Sequence, residues 1–183
     1  LQLGYYPAAR MVLDQLLIVN PECLNGLLFY GLLCYKEKKY SDSIMHLRQA
    51  ISLSPDNPDA YNNIGLSYME SGQPKEAEVN LKKAIDLRPD NAIFVKNLAM
   101  VQRASGNLEE AVATYKKALE IDPKSYDAWE CIGSIYGQKK EIDKAIECFH
   151  KAIAINSESL ASRVDLAYAY HLLGEWEKGW ENY

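Results

Sequence analysis

Small and large apolar residues follow one another along this chain in a pattern that recurs every 34 residues. With frames opened at Leu24, Pro58, Ala92, Tyr126 and Leu160, the seventh place holds Tyr30, Ile64, Leu98, Ile132 and Leu166. The eighth is always small: Gly31, Gly65, Ala99, Gly133 and Ala167. The twentieth is small as well, and the twenty-fourth holds Leu47, Leu81, Tyr115, Phe149 and Tyr183. Ala50, Ala84, Ala118 and Ala152 occupy the twenty-seventh. Within each half of the unit, apolar positions fall three and four apart, which is the face period of a helix. Small residues let two helices approach, and the large ones fill the space around the contact. A single pair still leaves an apolar face uncovered, so neighbouring pairs must stack to complete a core.

The same pattern places the elements. First helices are predicted near 24–36, 58–70, 92–104, 126–138 and 160–172. Second helices are predicted near 41–53, 75–87, 109–121, 143–155 and from 177 onward. Gly72, Gly106 and Gly174 lie in the turns inside the units, where glycine ends a helix because it tolerates positive φ. Pro21, Pro55, Pro89 and Pro123 recur at the same period and punctuate the junctions, with Ser157 at the next step.

These residues resemble the tetratricopeptide repeat (TPR) family, and the resemblance covers the whole chain. It implies an all-α fold, a right-handed superhelical solenoid of antiparallel helix pairs. Residues 1–183 form a single array on this reading: partial repeats at 1–23 and 160–183, and full repeats at 24–57, 58–91, 92–125 and 126–159. Arg163, Gln102, Ser43 and Ser157 depart from the residue types usual at their places. The chain starts and stops within a repeat, so it reads as an excerpt of a longer protein. Trp176, Trp180 and Tyr183 share one stripe of the final helix, which suggests self-association through an exposed repeat end.

At 48% apolar and 25% charged residues the composition is that of a soluble globular chain. A net charge of −5 without a basic run argues against nucleic acid, and against the RNA-reading pentatricopeptide repeat. Apolar stretches such as 11–19 are too short and interrupted to span a membrane. Cys23, Cys34, Cys131 and Cys148 show no CxxC spacing, and the three histidines are scattered, so neither a metal site nor a disulfide framework is expected. Free thiols favour the cytoplasm. No catalytic set or phosphate loop has workable spacing, so this segment is not expected to be an enzyme or to hold a cofactor.

In the TPR family the first helix of each pair lines a concave groove. The resemblance therefore points to Phe29, Leu32, Asn62, Asn63, Leu66, Lys96, Asn97, Met100, Arg103 and Glu130 as groove residues. Cys131, Ser134, Asp165, Tyr168 and His171 occupy matching places. Asn63 and Asn97 share the sixth place of successive repeats, an arrangement similar to the asparagine ladder of O-linked N-acetylglucosamine transferases. An amide offers two donors and an acceptor, so it can pair with peptide backbone whatever the side chains. The same residues also suit a merely solvated helix face. A carboxylate-clamp reading fails, because Leu28, Leu32, Ile93 and Asn97 stand where its basic and amide residues belong. Two functions follow: an interaction module that binds an extended peptide or partner helix, or the substrate-recognition arm of a larger protein glycosyltransferase. The ending from Gly174 to Tyr183 also resembles the last repeat of bacterial TPR proteins that continue into a glycosyltransferase domain.

Overall fold

A computed structural model describes residues 6–181, with side chains to residue 179. The described residues form helices throughout. These are α1 (Tyr6–Val19), α2 (Leu24–Lys36), α3 (Tyr40–Leu53), α4 (Pro58–Glu70), α5 (Pro74–Leu87) and α6 (Ala92–Ala104). The rest are α7 (Leu108–Ile121), α8 (Tyr126–Gln138), α9 (Ile142–Ile155), α10 (Leu160–Leu172) and α11 (Trp176–Glu181). All five first helices have the predicted bounds. Each second helix opens one residue earlier than predicted, in α5 with Pro74 in its first turn, where a missing N–H costs nothing. None of these helices is long and apolar enough to cross a membrane.

Each helix pair closes through the same turn. The fifteenth place of every repeat has positive φ: Gly72, Gly106 and Gly174, but also Lys38 (61°) and Lys140 (60°). The next N–H then reaches back to the eleventh place, as in Lys39 to the Cys34 carbonyl (2.8 Å) and Gln73 to that of Tyr68 (2.9 Å). Asn107, Glu141 and Glu175 repeat the bond onto Gln102, Tyr136 and Tyr170. This closure satisfies carbonyls that a helix end would otherwise leave open. It also holds two lysines in a backbone region that costs L-residues about 1–2 kcal/mol.

The chain divides into two compact units, residues 1–101 and 102–183. In the first, Leu47, Ile64, Tyr68, Leu81, Leu98 and Val101 form one buried cluster with Ala77. The small eighth places explain the fit. A Cβ built on Gly31 would lie 2.5 Å from Leu47 Cγ, and one on Gly65 2.6 Å from Leu81 Cγ. The serine at the twentieth place is satisfied rather than stranded: Ser43 Oγ lies 2.9 Å from Ser67 Oγ, whose hydroxyl in turn donates to the Asn63 carbonyl. Helix α1 buries none of its residues fully; Leu16 and Leu17 lie against Gly26 of α2, and polar contacts add to them. Arg10 donates to the Tyr30 hydroxyl (2.9 Å) and pairs with Glu37, and Tyr30 donates to Asp14 (2.7 Å). Lys39 and Arg10 together hold the Glu37 carboxyl below the usual range.

In the second unit, Ala145, Phe149, Leu166 and Ala169 form the buried cluster, with Tyr136 and Tyr170 packed against it. Here Phe149 fills the space over Gly133, 2.6 Å from where a Cβ would stand. Gln102 is 2% exposed, and its Oε1 has no hydrogen-bond partner among the described residues. That is an unpaired polar atom at a place other repeats give to cysteine or tyrosine. Arg163 is half-buried at the fourth place. The four cysteines are unbridged, Cys34 and Cys148 buried and the other two half-buried. Trp176 is exposed and stands edge-on to His171, with ring centroids 3.7 Å apart. The Trp180 side chain and Tyr183, the rest of the predicted aromatic stripe, lie outside the described residues.

Candidate functional site

In the first unit the helix period sets the seventh and eighth places of α2, α4 and α6 inward and leaves the sixth and ninth toward the other side. α2 also lies against α4, so first helices of successive repeats are neighbours. Three predicted amides meet between α4 and α6. Asn97 Nδ2 donates to Asn62 Oδ1 at 2.7 Å, and Asn62 Nδ2 donates to Asn63 Oδ1 at 3.2 Å. Asn62 sits between the other two and is buried, 7% exposed, while Asn63 and Asn97 are half-buried. The three amides thus form a chain rather than two separate rungs. Each amide carries two N–H groups and one carbonyl oxygen. The chain leaves the Asn63 Nδ2 donors and the Asn97 oxygen unspent at its two ends.

The apolar candidates in this unit flank those amides in the repeat register. Phe29, Leu32 and Met100 are exposed, while Leu66 and Lys96 are half-buried. Phe29 and Leu32 also face α1 residues Val12 and Leu13 across an apolar cavity of about 630 Å³, edged by Lys36. The structure therefore joins Asn62, Asn63 and Asn97 directly and sets Phe29 with Leu32.

In the second unit the predicted residues are Arg103 and Glu130. Arg103 is half-buried, and its charge reaches Tyr115, whose phenol is pushed up chiefly by burial and then by the neighbouring Cys131. Glu130 on α8 is fixed by two serines one repeat on: the Ser162 hydroxyl donates to Oε2 at 2.7 Å and that of Ser159 at 3.2 Å. Ser159 also caps α10, accepting from the Ser162 N–H. Asp165 on α10 is half-buried, and burial, followed by the Glu130 charge, raises its carboxyl above the usual range. The supporting serines escape a reading confined to first-helix groove places, because Ser159 lies in the junction before α10. The signal that could have found them is the Ser-x-x-Ser spacing at a helix start.

Asp165 borders a cavity of about 330 Å³ formed by α8, α9 and α10. Its walls include Ser134, Gly137, Phe149 and Tyr168. Among the described residues no group of histidine, cysteine, aspartate and glutamate could hold a metal ion.

Family comparison finds the same kind of repeat along much of the chain. Models described as TPR repeat or tetratricopeptide repeat match residues 31–72, 68–130 and 126–159. A search of curated proteins found no match. Among solved structures, MamA 41-end from Desulfovibrio magneticus RS-1 is similar at 15% identity and a TM-score of 0.75, over 87% of this chain and 90% of that one. Pseudomonas aeruginosa PilF is similar at 20% identity and a TM-score of 0.80, over 88% and 74%. YrrB, described as a TPR protein with an unusual peptide-binding site, is similar at 17% identity and a TM-score of 0.68, over 93% and 88%. At these identities the likeness concerns the fold. With the matched repeats following one another from residue 31 to residue 159, the chain belongs to the tetratricopeptide repeat family.

Proposed function

We propose that the chain is a protein-interaction module that binds an extended peptide along the first helices of its repeats. The observation that carries this reading is the amide chain from Asn97 through Asn62 to Asn63. Burying Asn62 between two partners fixes the rotamers of the outer amides, so their free donors and acceptor are held ready for a peptide backbone. Preorganisation of that kind lowers the ordering cost of binding. Large apolar side chains left exposed at neighbouring groove places, Phe29, Leu32 and Met100, supply contact area for partner side chains. The similarity to YrrB, whose description names a peptide-binding site, supports a peptide as ligand. A glycosyltransferase arm gains nothing from this geometry, because the amides are linked to each other within adjacent repeats instead of standing as independent rungs.

The test is selection of peptides from a random display library on the 183-residue chain, followed by calorimetry of the enriched peptides. Asn63→Ala combined with Asn97→Ala is expected to weaken binding by about 1–3 kcal/mol, at about 0.5–1.5 kcal/mol per hydrogen bond. Because Asn97→Ala also strips a donor from buried Asn62, thermal unfolding of each variant is recorded beside the titration. Affinity unchanged in a folded double variant would refute the amide site, and a library that yields no binder would refute the module itself.

A further inference from the structure

Gly137 is a helical glycine that the fold does not require. The glycines at the eighth places have a packing reason, since a Cβ on Gly31, Gly65 or Gly133 would press into Leu47, Leu81 or Phe149. A Cβ on Gly137 would meet nothing within 4 Å. Nor does the backbone ask for glycine, because Gly137 is absent from the positive-φ residues. Glycine within a helix is nevertheless about 0.8–1.0 kcal/mol worse than alanine. The twelfth place that Gly137 occupies holds Tyr35, Met69, Arg103 and His171 in the other repeats. At this one place the missing side chain leaves Gly137 on the wall of the cavity of about 330 Å³.

The groups around that cavity have one chemistry in common. Asp165 enters its wall and makes no hydrogen bond or ion pair with any described residue. The Phe149 and Tyr168 rings line it too, and Tyr168 is 63% exposed. The other carboxylate whose charge reaches Asp165 is Glu130, immobilised by Ser159 and Ser162. Of the cations next along the chain, Lys139 pairs with Glu109 and Glu141 and Lys144 with Glu141, while Lys140 is exposed in the turn; none of them is among the charges that reach Asp165. The cavity thus sets a carboxylate that no cationic charge reaches beside two aromatic side chains, and the face of such a ring attracts a cation through its quadrupole.

We propose that the cavity beside Gly137 is a subsite for a lysine or arginine side chain of an extended peptide partner, with Asp165 as its counter-ion and the Tyr168 ring beside it. The proposal rests on the reading of the chain as a peptide-binding module and names the partner chemistry on its second unit. A cationic side chain gives Asp165 the partner that the chain itself withholds, and offsets the repulsion from Glu130. Its aliphatic stem suits the apolar wall, since long cationic side chains carry their charge at the end of a hydrocarbon stem.

The experiment uses the full chain labelled with nitrogen-15 and three blocked pentapeptides: acetyl-Ala-Ala-Arg-Ala-Ala-amide, its lysine counterpart, and its citrulline counterpart, which keeps the shape of arginine without the charge. The Gly137 and Asp165 amide signals are expected to shift and saturate with the arginine peptide, the lysine peptide or both, and which of them does so names the preferred side chain. The citrulline peptide is expected to bind about tenfold more weakly, the scale of one lost charge-assisted hydrogen bond. Gly137→Met, which fills the cavity, and Asp165→Asn, which removes the charge, should each cause a similar loss while the rest of the spectrum stays folded. Equal binding of the citrulline peptide, or undiminished binding by either variant, overturns the proposal. Shifts at Asn63 and Asn97 without any at Gly137 and Asp165 overturn it while leaving the amide surface standing. Shifts at neither place, with peptides enriched from the display library, overturn the cavity alone, and an empty library besides overturns both.

Discussion

Adding one methyl group at either of two glycines should change stability in opposite directions. At Gly137 the new Cβ has open space around it, so the only effect is on helix propensity. An interior glycine costs about 1 kcal/mol relative to alanine. Gly137 is the last residue but one of α8, where helices fray, so about half of that, some 0.5 kcal/mol, should be recovered by Gly137→Ala. At Gly65 the same methyl would stand 2.6 Å from Leu81 Cγ and 3.2 Å from the Ala77 carbonyl oxygen. Leu81 is fully buried and cannot swing aside, and the carbonyl belongs to the backbone of α5. Overpacking of this kind costs about 1–3 kcal/mol. The propensity gain of about 1 kcal/mol offsets part of it, for a net destabilisation of about 0–2 kcal/mol.

Urea unfolding followed by far-UV circular dichroism separates the two. Gly137→Ala should move the midpoint up and Gly65→Ala down, with unchanged slopes, since neither alters the surface exposed on unfolding. For a chain of this size the shifts correspond to about 2–4 °C in Tm per kcal/mol. A loss of stability in Gly137→Ala would show that the space beside it is already filled, with no room there for a partner side chain. A gain in Gly65→Ala would show that the helix pairs are less tightly closed than the Leu81 contact requires.

Two further outcomes are expected. Alkylation under denaturing conditions without reductant should modify all four cysteines; in the native protein Cys23 and Cys131 should react first, because Cys34 and Cys148 are buried and burial holds their thiols above the usual range. An intramolecular bridge detected by mass spectrometry would contradict the repeat register. Burial holds the His46 imidazole below the usual histidine range, so the unfolded chain takes up its proton first as pH falls. Stability measured by denaturant titration should therefore decline as pH drops from the usual histidine value toward the lower folded one, and less steeply in His46→Phe; equal slopes would rule out this histidine as the cause.

Much of the fold was legible because its determinants recur at fixed places. Gly31, Gly65 and Gly133 mark the helix contact, and one turn closes every pair. Lys38 and Lys140 were not legible as turn residues from type alone, since lysine is a good helix former; only counting to the fifteenth place exposes them. The candidate surface was legible in part. Counting places puts Asn62, Asn63 and Asn97 on the first helices, while the bond made by buried Asn62 comes from a residue 35 positions away. A helix period reports which face a residue lies on, not which neighbour it finds on the next repeat. Gly137 was invisible for a different reason. A groove residue is sought by what it carries, and this one acts by what it lacks.

Two independent costs converge on that cavity. Gly137 gives up helix propensity with no packing or backbone gain in return. Asp165 is a carboxyl whose folded pKa is raised, by burial and then by Glu130, so the folded state holds its proton more tightly than the unfolded chain does. With a raised folded value, the stabilising contribution is full at pH below the unfolded pKa and is lost as pH rises through the folded one. At neutral pH the ionised Asp165 therefore works against folding, where an asparagine would not. Sequences drift toward residues that a fold tolerates well, and isolated departures need no purpose. Here, however, an uncalled-for glycine and an unpartnered carboxylate border the same cavity, on α8 and α10, beside two aromatic rings. A peptide cation would reverse the second cost outright by pairing with Asp165, and it would occupy the room that the first provides. Stability forgone at both residues is then the condition for binding, which is the usual relation between a fold and the site it carries.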